Sequence, residues 1–113
     1  LDQKKFIKTI ENLKKSNDVV DYYVKKNLEK NSYFSNTEKH LILNDKFFKQ
    51  PHEIVFRSLS DSLNFVSKKY YPVRGKKIDK IIKDIQKSSF SKCTLGSCLV
   101  EKVNQTVIIS KER

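Results

Sequence analysis

Residues 68–98 read K-K-Y-Y-P-V-R-G-K-K-I-D-K-I-I-K-D-I-Q-K-S-S-F-S-K-C-T-L-G-S-C. At about 100° per residue, Ile78, Ile81, Ile82 and Ile85 share one side of a helix, and Lys76, Lys80, Lys83 and Lys87 share the other. The spacing predicts an amphipathic helix with an apolar face for a core and a lysine rail for solvent or a polyanion. Residues 68–92 hold nine Lys or Arg against Asp79 and Asp84, so +7 of the formal +11 falls in 25 residues. Lysine is abundant throughout, with 21 Lys, 3 Arg and no Ala. A general lysine habit would raise Glu with Lys, whereas residues 45–67 net to zero beside this cluster. Clustering of one sign points to a nucleic-acid surface rather than a merely solvated face. The candidate contacts are Lys68, Lys69, Arg74, Lys76, Lys77, Lys80, Lys83 and Lys87.

Outward from this stretch, the chain reads as α+β, with helices first and a small antiparallel sheet last. At 113 residues it is expected to be one domain (1–113), with residues 1–38 a long helix and turn and residues 39–113 the helices and hairpins. Phe6, Ile10, Leu13, Val20, Val24 and Leu28 keep a helical stripe, which predicts one long helix over 2–30. Ser16-Asn17-Asp18 interrupts that stripe and offers the alternative of a cap for a second helix. His40-Leu41-Ile42-Leu43 reads as a strand, and Asn44-Asp45 as the cap of a brief turn holding Phe47 and Phe48. Pro51 suits the first turn of a helix over 51–66, striped by Val55, Phe56, Leu59, Leu63 and Val66. Pro72 pushes Tyr71 out of helical geometry, so the basic helix should start near Val73 or Arg74. Tyr70 and Tyr71 either stack on RNA bases or plug the core between two helices. Cys93-Thr94-Leu95, the turn Gly96-Ser97 and residues 98–102 predict a hairpin, and residues 106–110 a third strand.

Several chemistries find no residues to build them. No apolar run approaches the roughly 18–20 residues of a membrane span, and the opening L-D-Q-K-K-F-I-K is a charged helix start without an apolar leader core. The first residue is Leu, which is expected if the chain is a piece of a longer protein. Gly75 and Gly96 are the two glycines, too few for a phosphate-cradling loop. Cys93 and Cys98 lack the paired spacing of a zinc site, and His40 and His52 are remote, so the thiols are expected to be free and no metal or cofactor is expected here. Asp79 and Asp84 read as solubilising charges.

The segments P-H-E-I-V-F-R-S-L, Y-Y-P-V-R, T-L-G-S-C-L-V-E and V-I-I-S-K-E resemble the region after the catalytic domain of bacterial tRNA(Ile)-lysidine synthetases. That family places an arginine near the Arg57 position, opens the next helix with Pro-x-Arg, and ends on a T-L-G-G-C-type turn and a strand closing in R-E. Here Ser97 stands at the second glycine and Lys111 at the arginine. The resemblance covers residues 39–112 well and the remainder loosely. It implies a tRNA-binding region without activity of its own, acting for a catalytic domain in the same parent chain. That parent, a cytoplasmic ligase, would use ATP and Mg²⁺ to attach lysine to the wobble cytidine of an isoleucine tRNA with a CAU anticodon. An alternative is a winged-helix-like nucleic-acid module, with residues 74–87 as recognition helix and 93–110 as wing. An all-lysine rail positions phosphates without reading bases, which weakens that alternative. A membrane-surface role is weaker still, because the apolar face is all Ile and looks committed to a core.

Overall fold

The computed structural model describes residues 2–13, 19–68 and 75–112, with the side chains of residues 2 and 10–13 outside the description. Two helices open the chain, α1 (Asp2–Leu13) and α2 (Val19–Asn31), followed by a hairpin of β1 (Ser32–Ser35) and β2 (His40–Leu43). A 3-10 turn (Asp45–Lys49) leads to α3 (His52–Ser67) and α4 (Gly75–Ile85). The chain ends in β3 (Lys92–Leu95), β4 (Cys98–Val103) and β5 (Thr106–Lys111).

The strands form one antiparallel sheet in the order β1-β2-β5-β4-β3. Side chains alternate across a strand, and the register aligns Leu41 with Ile109 and Ile109 with Val100. These residues, with Leu43, Cys98 and Val107, make one face of the sheet a buried surface. α3 lies on that face against β2, β4 and β5, and α4 packs on α3. Ile78, Ile81, Ile82 and Ile85 are all buried, as their spacing predicts, each burial worth about 1.5–3 kcal/mol. Phe6 of α1, Phe34 of β1 and Phe65 of α3 close the other end, with Phe65 edge-on to Phe6 (4.7 Å) and to Phe34 (5.1 Å).

The α+β layout differs from the expectation in two places. A single helix over 2–30 would put Gln3 and Leu28 about 38 Å apart at 1.5 Å per residue. Instead Gln3 Nε2 donates to the carbonyls of Leu28 (3.3 Å) and Ser32 (2.9 Å), so α1 and α2 are separate helices folded back on each other. The polar Ser16-Asn17-Asp18 lies outside the described residues; α2 begins just after it. Nor is the sheet a small C-terminal one. β5 pairs with β2, which joins the β1–β2 hairpin to the last three strands in a five-stranded sheet. β1 is held at the edge because the amide of Phe34 donates to Gln3 Oε1 at 3.1 Å.

Other elements match their local chemistry. Asn44 accepts from the amide of Phe47 (3.0 Å), capping the 3-10 turn. Pro51 is the residue before α3 rather than inside its first turn, and its carbonyl accepts from Ile54 and Val55. Gly96 and Ser97 have φ of 57° and 67°, the paired left-handed geometry of a two-residue hairpin, with Leu95 opposite Cys98.

Candidate nucleic-acid interface

α4 carries the lysines because its isoleucines leave them no other direction. Lys76, Lys77, Lys80 and Lys83 are exposed on the side away from α3. Lys87 lies past the end of the helix, on the turn in which its amide donates to the Asp84 carbonyl at 3.0 Å, and is exposed too. Lys76 and Lys77 occupy the first turn, which has no acidic residue. Cations there oppose the helix dipole at about 0.3–1 kcal/mol each. The placement works against the helix, but it adds to the positive potential an anion would meet.

The rail is not uniformly free. Asp84 accepts from Lys80 at 3.0 Å and from Lys87 at 3.4 Å. The hydrogen bond from Lys80 holds the Asp84 carboxyl below its ordinary value, opposed by partial burial and aided by the bond from Lys87 and both charges. Asp84 is thus a bracket inside the rail, not the merely solubilising charge expected of it. Asp79 also has a partner, as its Oδ1 lies 3.0 Å from His52 Nε2 at the start of α3. Among the described residues, no ion pair engages Lys76, Lys77 or Lys83.

Lys68 caps α3 in the left-handed conformation (φ 61°), its amide donating to the Asn64 carbonyl at 2.9 Å, so it stands on a different element from the rail. Lys69, Arg74, Tyr70, Tyr71 and Pro72 lie outside the described residues. Of the eight candidates, Lys76, Lys77, Lys80, Lys83 and Lys87 therefore come together along α4 and the turn after it. Arg57, at the position the resemblance marked, pairs with Glu53 at 2.7 Å on the exposed side of α3. Sequence reasoning did not single out Tyr22 and Tyr23 of α2. They are 56% and 53% exposed and touch ring to ring. Their positions opposite Val24 and Leu28 on the helical wheel were the signal.

Both cysteines are thiols in the structure, Cys93 half-buried and Cys98 buried. The Cys98 thiol donates toward the Leu63 carbonyl at 3.5 Å. Burial, reinforced by the Asp84 carboxylate, pushes the Cys93 thiol up, which makes it a poor nucleophile. Among the described residues, no three His, Cys, Asp or Glu side chains group as metal ligands, and no helix is long and apolar enough to cross a membrane.

Among curated proteins, the chain is similar to a tRNA(Ile)-lysidine synthase of Wolbachia sp. subsp. Brugia malayi (strain TRS), with 34% identity over 68 residues. The match takes in 59% of this chain and 16% of the relative, so the chain spans about a sixth of that protein's length. The family resemblance read from the sequence is borne out by this match. No family model matches the chain, and no solved structure matches it significantly.

Proposed function

We propose that the chain is a tRNA-binding region of a tRNA(Ile)-lysidine synthase, and that the lysine side of α4 meets tRNA phosphates. The observation that carries this reading is the lysine face itself, rigidly backed by four buried isoleucines, in a chain similar to a protein of that name. Lysine ammonium groups give point-charge contacts to phosphate, which hold a nucleic acid in register and leave its sequence unread. In the parent enzyme, the tRNA would be gripped here while a catalytic domain elsewhere in the chain ligates lysine in the cytoplasm.

In this reading ATP and Mg²⁺, which the parent would need, are held by the catalytic domain elsewhere in that protein. Gly96 is taken up by the hairpin turn, and Gly75 is the first residue of α4, where a Cβ would meet the Phe56 ring at 3.4 Å. Among the described residues, no glycine-rich run of backbone amides is placed to wrap a triphosphate. The winged-helix alternative is not favoured, because β5 is held between β2 and β4 inside the sheet and the strands do not stand out as a wing.

The test is competition. The chain is bound to a tRNA(Ile) transcript with a CAU anticodon and challenged with duplex DNA at equal phosphate concentration. The tRNA should stay bound, and equal displacement by the duplex would overturn the reading.

A further inference from the structure

Val24, Asn27 and Leu28 turn one side of α2 into the core. The opposite side carries Val19, Tyr22, Tyr23, Lys26 and Lys30, spaced at three, four, seven and eleven residues. The two tyrosine rings meet at 84° with centroids 5.2 Å apart, and Lys26 Nζ lies 5.5 Å from the centre of the Tyr22 ring. Val19 beside them is 68% exposed, so three large apolar side chains sit together in solvent. None of them is needed to bury the helix.

We infer that Tyr22 and Tyr23 form a stacking platform for an unpaired nucleobase, with Lys26 and Lys30 beside it for the adjoining phosphates. Two rings at a right angle make a corner in which a flat base can stack on one ring and meet the other with its edge. Stacking accepts any base, because every base has a π face. The cations select for a ligand that is planar and anionic at once, which a nucleotide is and an apolar peptide is not. Glu29 is exposed at one edge of the same face and sets the side from which phosphate is excluded. Tyr70 and Tyr71, where the sequence suggested a similar aromatic-and-lysine pairing, lie outside the described residues, and the platform on α2 stands apart from them. The inference rests on the RNA-binding reading above and adds to it a contact with single-stranded RNA, where lysines alone would grip paired and unpaired RNA alike.

The probe is a fluorescein-labelled oligouridylate of about ten nucleotides, followed by anisotropy with the full chain. Y22L/Y23L keeps apolar bulk and removes the π faces, and Y22F/Y23F keeps them. The leucine pair should bind about tenfold more weakly or worse, and the phenylalanine pair within about threefold of the parent chain. The five tyrosines, with no tryptophan present, also allow stacking to be seen directly as quenching of tyrosine emission. Unchanged affinity in the leucine pair overturns the inference, as does a parent chain that ignores oligouridylate and so reserves this surface for a polypeptide. If rail substitutions weaken tRNA binding and Y22L/Y23L does not weaken oligouridylate binding, the platform falls and the tRNA reading stands. If the leucine pair loses oligouridylate while duplex DNA displaces tRNA equally, the platform stands and the tRNA reading falls.

Discussion

Lys102 on β4 donates its ammonium to the carbonyl of Ile85, the last residue of α4, at 2.7 Å. One bond ties the end of the basic helix to the sheet and puts a cation where the helix dipole favours it. Removing it leaves a half-buried carbonyl without that donor. Lys102→Met should therefore cost about 1–2 kcal/mol, read as a lower melting temperature. No change in melting would mean that the end of α4 is held by its isoleucines alone.

Asp84 links the fold to pH. Its carboxyl is held below the ordinary aspartate value by Lys80 first and Lys87 second. A depressed folded value means that the contribution is complete above the ordinary aspartate range and fades as pH falls through the lowered one. A side-chain carboxyl NMR titration should find Asp84 ionised after ordinary aspartates have taken up protons. A midpoint at or above the ordinary value would contradict the bracket geometry.

The two faces of α4 should fail separately. Ile78 is fully buried and Ile82 nearly so, and each change to Ala should cost about 2–5 kcal/mol. Denaturant unfolding would show it. Gln at Lys76 and Lys83 should leave stability within about 0.5 kcal/mol per site. If the lysine changes unfold the domain, the division of the helix into a core side and a binding side is wrong.

Gly96 sits at φ 57°, a region costing an ordinary L-residue about 1–2 kcal/mol and a β-branched one more. Gly96→Val should lower the melting temperature by several degrees. Ser97 already tolerates φ 67°, so Ser97→Gly should melt no lower than the parent chain.

α4 and the last hairpins are legible in the sequence because their signals are local. Four isoleucines at helical spacing have one way to be buried, and Gly-Ser between two short apolar runs has few turns open to it. The separation of α1 from α2 is only half legible, because Ser16-Asn17-Asp18 offers a cap for a second helix without forcing one. Apolar residues keep helical phase on both sides of residues 14–18, and the choice between one helix and two is decided only by long-range contacts such as those of Gln3 with the carbonyls of Leu28 and Ser32. β1 is hidden for a similar reason. S-Y-F-S is too short to declare a strand by alternation alone, and it is placed as one by pairing with β2 and by the side chain of Gln3. The bracket at Asp84 could have been foreseen, since Lys80 and Lys87 stand four residues before it and three after. The Tyr22–Tyr23 pair was equally visible on a helical wheel, once α2 was taken as a helix of its own.

The most direct measurement is the salt dependence of tRNA affinity for the parent chain and for K76Q/K80Q/K83Q/K87Q. Each lost phosphate contact should flatten log K against log salt by about 0.7–0.9, so four contacts remove roughly 3–4 from the slope. Lys76 and Lys83 should account for the larger share, because Lys80 and Lys87 are partly engaged by Asp84. A weaker affinity with the flattened slope is the predicted result. An unchanged affinity and slope in the quadruple variant would contradict the assignment and leave the lysines of α4 as solvated surface.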